Sequence, residues 1–120
     1  MAKVLIIDDS PTELYMLQKM VEKGGHEAIT ATEAEEGLKM ASSDKPDVIL
    51  MDVVMPGMSG FQATRKLNKD AETSSIPVVI VTTKDQETDR IWGLRQGALD
   101  YITKPVKEGE LLDKIKAALG

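Results

Sequence analysis

Val48-Ile49-Leu50-Met51 runs without interruption into a single carboxylate, Asp52, and Pro56, Gly57 and Gly60 follow close behind. A short apolar run bounded by turn residues is the pattern of a strand buried on both faces, as in a parallel sheet. Proline and two glycines force the strand to end. Asp52 therefore falls at the carboxyl end of a central strand, where open α/β sheets place their ligand crevices. A lone charge in that position is costly to bury without a partner. Taken by itself, an Asp that merely caps the next turn is the plainer reading.

The rest of the chain repeats the pattern. Val4-Leu5-Ile6-Ile7 is a second apolar run, ending in Asp8-Asp9. Ser10, Pro11 and Glu13 then have the spacing of a capping box, and Leu14, Leu17 and Val21 carry a helix to Gly24-Gly25. A short strand is expected over Glu27 to Ala31. Thr32 to Glu35 repeats the capping pattern and opens a helix to about Ser42, broken by Asp44-Lys45-Pro46. After Gly60 a helix is predicted to about Asn68, containing Phe61 and Leu67. Val78 to Val81 forms another buried strand ending at Thr82-Thr83. The next helix has Asp85 or Thr88 as its cap and Ile91, Leu94 and Ala98 as its inner stripe. Leu99 to Thr103 is the fifth strand, followed by Lys104-Pro105. The last helix spans about Lys107 to Leu119, with Leu111, Leu112, Ile115 and Leu119 turned inward. Strand and helix alternate five times, which implies a parallel sheet covered by helices on both faces. The fold class is α/β, a doubly wound sheet of flavodoxin-like order 2-1-3-4-5.

Composition narrows the chemistry. A length of 120 residues suits one core. A formal net charge of −5 argues against nucleic-acid binding. There is no cysteine, and His26 is the only histidine, so thiolate chemistry, a zinc site and a Ser-His-Asp triad lack their parts. No apolar stretch approaches membrane-spanning length and no signal peptide precedes the first strand, so no membrane insertion and a cytoplasmic location are expected.

Four strand ends carry polar residues: Asp8 and Asp9, Asp52, Thr82, and Lys104. The expected fold brings them to one edge of the sheet. Clustered carboxylates repel each other. A hard divalent cation relieves that repulsion, and Mg²⁺ prefers a few carboxylates plus water. Thr82 adds a hydroxyl and Lys104 a compact positive charge, which suit a tetrahedral anion on or beside one of the acids. Separately, each residue reads more plainly as a helix-start acid, a loop residue or a solvated lysine. Shared position is what favours a site. Acid repulsion also predicts that removing Asp8 or Asp9 stabilises the metal-free fold.

These residues, with Met51 to Gly60 and Tyr101-Ile102-Thr103-Lys104-Pro105, make the chain resemble the receiver domains of bacterial two-component response regulators over essentially its whole length. The resemblance implies a single receiver domain at residues 1–120 with no output domain, acting as a monomer. It implies that Asp52 is the phosphoacceptor. It assigns Mg²⁺ to Asp9 directly, to Asp8 largely through water, and to Asp52 and the backbone carbonyl of Val54. Thr82 and Lys104 would contact phosphoryl oxygens. Such a domain catalyses only its own phosphorylation and dephosphorylation. Its partners would be a histidine kinase or a histidine phosphotransfer domain, and a downstream motility or signalling protein. The motif further implies a cis bond before Pro105 and a switch in Tyr101 linked to Thr82. Trp92 would join Tyr101 on a partner face.

A finer resemblance is to stand-alone receivers of type IV pilus twitching-motility and phototaxis systems. It rests on Ser10 to Glu13, Gly60 to Arg65, Lys84 to Asp89, Trp92-Gly93 and Arg95 to Ala98. Thr83 departs from the common pattern, where Ala is frequent, and adds bulk near the switch. Two other functions compete with the signalling reading. An Asp-nucleophile phosphatase of the dehalogenase type wants an acid where Val54 stands. A flavin carrier needs a phosphate loop where Asp8-Asp9 would repel phosphate. His26 is expected to be exposed, and Met51, Met55 and Met58 to fill gaps in packing.

Overall fold

The computed structural model describes residues 1–120. Five strands alternate with five helices: β1 (Lys3–Ile7), α1 (Pro11–Lys23), β2 (Glu27–Ala31), α2 (Ala34–Asp44), β3 (Val48–Met51), α3 (Gly60–Lys69), β4 (Val78–Thr82), α4 (Glu87–Arg95), β5 (Asp100–Thr103) and α5 (Glu108–Ala118). The sheet is parallel, in the order β2-β1-β3-β4-β5.

The apolar runs of β1, β3 and β4 divide their side chains between two layers, as the two-residue period of a strand requires. Val4, Ile6, Val48, Leu50, Val79 and Val81 pack with Leu17 and Val21 of α1 and Leu111 and Ile115 of α5. Leu5, Ile7, Ile49 and Met51 face the other way, against Ala34 and Ala41 of α2 and Ala63 and Leu67 of α3. With both faces covered, the central strands have no wet side, which is why they lack polar alternation. Met51 and Met55 are buried in the second layer, and Met58 packs against it.

α4 differs from the other helices. Ile91 and Leu94 are 43% and 39% exposed, so the expected inner stripe does not face inward. The helix lies on the sheet through Gly93. A Cβ there would stand 2.8 Å from Ile80 Cδ1 and 3.1 Å from the Tyr101 ring. Ala98 is buried with Val53, Ile80 and Tyr101 in a small third cluster. Periodicity pointed to the large apolar residues, but close approach selects the residue without a side chain.

The helix starts also depart in detail from expectation. α2 is capped at Glu33 without a side-chain bond, and Glu36 accepts the Thr32 N–H at 3.0 Å. Gln86, not Asp85 or Thr88, precedes α4, and Asp89 accepts its N–H at 3.3 Å. β5 begins at Asp100, leaving Leu99 exposed, and Leu119 lies beyond α5 and is exposed. His26 is half-buried, because its Nδ1 accepts the Ala2 N–H at 3.1 Å and ties the start of β1 to the loop before β2.

Candidate functional site

Register brings the strand ends together. Ile7 of β1 pairs with Met51 of β3, so Asp8 and Asp52 leave the sheet side by side. The ladder continues one step beyond the strands: Asp52 N–H donates to the Ile7 carbonyl at 2.9 Å and Asp8 N–H to the Ala31 carbonyl at 3.1 Å. At the other flank Thr82 pairs with Thr103, and Lys104 N–H donates to the Thr82 carbonyl at 2.8 Å. Lys104 thereby follows β5 back toward the acids, and its bond to Pro105 is cis. The loop after β3 is closed by Gly60, the first residue of α3, whose N–H donates to the Val53 carbonyl at 2.9 Å. A Cβ on Gly60 would overlap the Asp52 carbonyl, so only glycine lets the helix start this close behind the acid.

Carboxylate oxygens of Asp8, Asp9 and Asp52 all lie within 4.8 Å of one another. Asp8 and Asp52 are buried and Asp9 is exposed. Asp52 Oδ1 accepts its neighbour's N–H, from Val53, at 2.8 Å. Asp8 Oδ1 accepts the Ser10 N–H at 2.9 Å. The Lys104 side chain is 8% exposed, not solvated, and its ammonium faces three acids. Nζ lies 2.8 Å from Asp8 Oδ2, 3.4 Å from Glu13 Oε1 and 3.6 Å from Asp52 Oδ2.

Burial pushes the Asp52 carboxyl above its ordinary value; nearby Lys104 opposes this, Asp8 adds to it, and the Val53 N–H and the Thr82 hydroxyl oppose it. Burial alone would depress Lys104, but its hydrogen bond to Asp8 and the charges of Asp52, Asp8 and Glu13 hold it above the usual value. The result is a fixed cation beside an acid that resists ionisation. The donor set fits a hard divalent ion: carboxylate oxygens only, one of the acids open to solvent, around a buried acid whose charge is only partly compensated.

The structure thus brings Asp8, Asp9, Asp52, Thr82 and Lys104 to one edge. Thr82 is fully buried, with its Oγ1 accepting the Lys84 N–H at 3.4 Å. Val54 and Thr83 are exposed. Tyr101 is buried, and its hydroxyl donates to the Lys84 carbonyl at 2.8 Å. Burial pushes that phenol up to about 12, helped by Asp89 and Asp85. Trp92 is 50% exposed on α4. Glu13 was missed as a site residue. Its spacing from Ser10 predicts a reciprocal cap, yet only half of that cap exists: Ser10 Oγ accepts the Glu13 N–H at 3.4 Å. Asp8 takes the Ser10 N–H, which leaves the Glu13 carboxylate free to reach Lys104.

The fold and site thus define a doubly wound α/β domain with acids and a lysine gathered at the carboxyl ends of β1, β3 and β5. The response regulator receiver domain family matches residues 4–116, and the chain belongs to it. Protein PilH of Pseudomonas aeruginosa is 63% identical over 119 residues, covering 99% of this chain and 98% of that protein. Chemotaxis protein CheY4 of Vibrio cholerae has a similar structure, with a TM-score of 0.92, 31% identity and 99% of each chain covered. So does the receiver domain of a Pseudomonas aeruginosa sensor histidine kinase, solved with a magnesium ion coordinated in its active-site cleft. That likeness has a TM-score of 0.92 at 25% identity, covering 99% of this chain and 98% of that one.

Proposed function

We propose that the chain is a phosphorylation-controlled switch in which Asp52 takes a phosphoryl group from a phosphohistidine on a sensor kinase or histidine phosphotransfer domain. The observation that carries this reading is the convergence on Asp52 of two further acids and one buried lysine. An Asp52 oxygen attacks phosphorus in line, the phosphorus–nitrogen bond breaks, and the imidazole leaves with the bonding electrons and takes up a proton. Mg²⁺, held by Asp8, Asp9, Asp52 and the Val54 carbonyl, would neutralise charge on the transferring group. Thr82 and Lys104 would hold its oxygens. Positioning and charge neutralisation do most of the work in such transfers. Water attack on the aspartyl phosphate resets the switch.

The resemblance of the chain's motifs to type IV pilus twitching-motility receivers, beside the 63% identity to Protein PilH, supports a role in that motility, in which the receiver either docks on a motility protein or drains phosphate from a shared kinase. Thr83, Trp92 and Tyr101 lie at or beside the face that would change. A hydrolase with Asp52 as nucleophile is disfavoured, since exposed Val54 offers no acid for the leaving group. Acetyl phosphate with Mg²⁺ should add one phosphoryl group by intact mass, and Asp52→Asn should remove it. Stoichiometric labelling of that variant would sink the assignment.

A further inference from the structure

The Lys104 ammonium has three N–H donors and three carboxylates around it, from Asp8, Glu13 and Asp52. Only Asp8 takes a hydrogen bond from it, at 2.8 Å, while Glu13 at 3.4 Å and Asp52 at 3.6 Å are looser ion-pair contacts. A phosphoryl oxygen arriving on Asp52 takes over that acid's contact and competes with Glu13 and Asp8 for the ammonium. Asp8 is buried and held on its other oxygen by the Ser10 N–H. Asp52 is the residue being modified. Glu13 is the only one of the three with a way out: its side chain is 29% exposed, it extends from the first turn of α1, and released into water it keeps its charge solvated. Nothing else in that turn needs the Glu13 carboxylate, because Asp8 has taken over the capping bond it would ordinarily make.

We propose that Glu13 is a positioning residue that occupies Lys104 in the resting protein and yields it to the phosphoryl group, so that it sets how readily Asp52 is modified. This rests on the phosphotransfer reading above. Removing the Glu13 contact takes away one competitor for the ammonium in advance. Phosphoryl uptake should then speed up, and a phosphoryl mimic should bind more tightly.

Two substitutions separate contact from field. Glu13→Gln keeps the length and removes the charge. Glu13→Asp keeps the charge and withdraws it by one methylene, beyond reach of Nζ. Acetyl-phosphate labelling with Mg²⁺ is followed by intact mass, and beryllofluoride occupancy by ¹⁹F NMR. Both variants should label and bind roughly two- to fivefold better than wild type, the range expected for one partly exposed ion pair. The Lys104 Cε resonance, assigned through Lys104→Arg, should shift in both variants without any phosphodonor. If both variants match wild type in labelling and in that resonance, the proposal is overturned. It is also overturned if Glu13→Gln gains while Glu13→Asp does not, since a general field would then explain the gain. If the resonance shifts as expected but wild type takes no label, the contact stands and the phosphotransfer reading is the part that fails.

Discussion

At the scale of single residues, two neighbouring acids at the end of β1 do opposite things. Asp8 is buried, accepts the Ser10 N–H and pairs with Lys104 at 2.8 Å. Asp9 is exposed and takes part in no ion pair. Asp8 repels Asp52, but its hydrogen bond to Lys104 offsets that repulsion, whereas Asp9 has no such partner. Asp9→Ala should raise the melting temperature of the metal-free protein slightly. Asp8→Ala should lower stability by about 1–3 kcal/mol, the usual cost of leaving buried hydrogen-bonding groups unpaired. Denaturant unfolding of both variants in chelator checks this, and a gain in both would restore the simpler repulsion picture.

Asp52 gives a pH-dependent counterpart. Burial raises its carboxyl above the ordinary 3.8. Below that value the group is protonated in folded and unfolded chains alike, and it contributes nothing. As pH rises through 3.8, the unfolded chain ionises first, and the folded state loses ground until pH passes the folded-state value. Asp52→Asn should thus be more stable than wild type in chelator at neutral pH, with the advantage vanishing below about pH 4. Parallel unfolding curves at neutral and acid pH decide it. An equal difference at both would show that Asp52 ionisation is not the cause.

At the scale of elements, α4 is held by contact rather than by an apolar face. Gly93 sits on Ile80 and Tyr101, while Ile91, Trp92 and Leu94 face outward. The Arg90 guanidinium donates to the Tyr101 carbonyl at 3.3 Å, and the Tyr101 hydroxyl reaches the Lys84 carbonyl. A helix seated on a glycine can be shifted without tearing open a packed layer. Gly93→Val should push α4 off the sheet and destabilise the protein by about 1–3 kcal/mol, as overpacking does. It should also redden the emission of Trp92, the only tryptophan. Unchanged stability and emission would mean that the helix has room the geometry does not suggest.

At the scale of the whole molecule, Asp100 joins three elements on the β5 flank. Its carboxylate lies 2.8 Å from Lys114 Nζ of α5 and 3.9 Å from the Arg90 guanidinium of α4, and accepts the Tyr101 N–H at 2.8 Å. Burial works to raise this acid, but the Lys114 hydrogen bond, the Tyr101 N–H and the Lys114 and Arg90 charges outweigh it and hold Asp100 below 3.8. A depressed carboxylate stabilises the fold above its unfolded value, and that stability drains away as pH falls through the lower, folded value. Asp100→Asn should cost about 0.5–1 kcal/mol at pH 7, as partly exposed pairs do, and almost nothing near pH 2. A cost that persists in acid would make the role one of packing.

What the sequence determined by itself follows from short-range physics. Uninterrupted apolar runs at Val4–Ile7, Val48–Met51 and Val78–Val81 can be satisfied only by strands covered on both faces. Regular alternation with amphipathic helices then leaves little choice of topology. Asp8, Asp9, Asp52, Thr82 and Lys104 were legible because each directly follows a strand, and strand ends of a parallel sheet share one edge. Tertiary structure decided what depends on distance between segments far apart in the chain. Only the reach of Lys104 from the end of β5, past the ends of β4 and β3, to the acid after β1 turned it from a surface lysine into a buried one, and only that reach gave Glu13 a partner. The same holds for Gly93, which reads as a flaw in a helix until Ile80 and Tyr101 arrive beneath it. Periodicity reports which residues prefer to leave water; which of them succeed is settled by the space their neighbours leave.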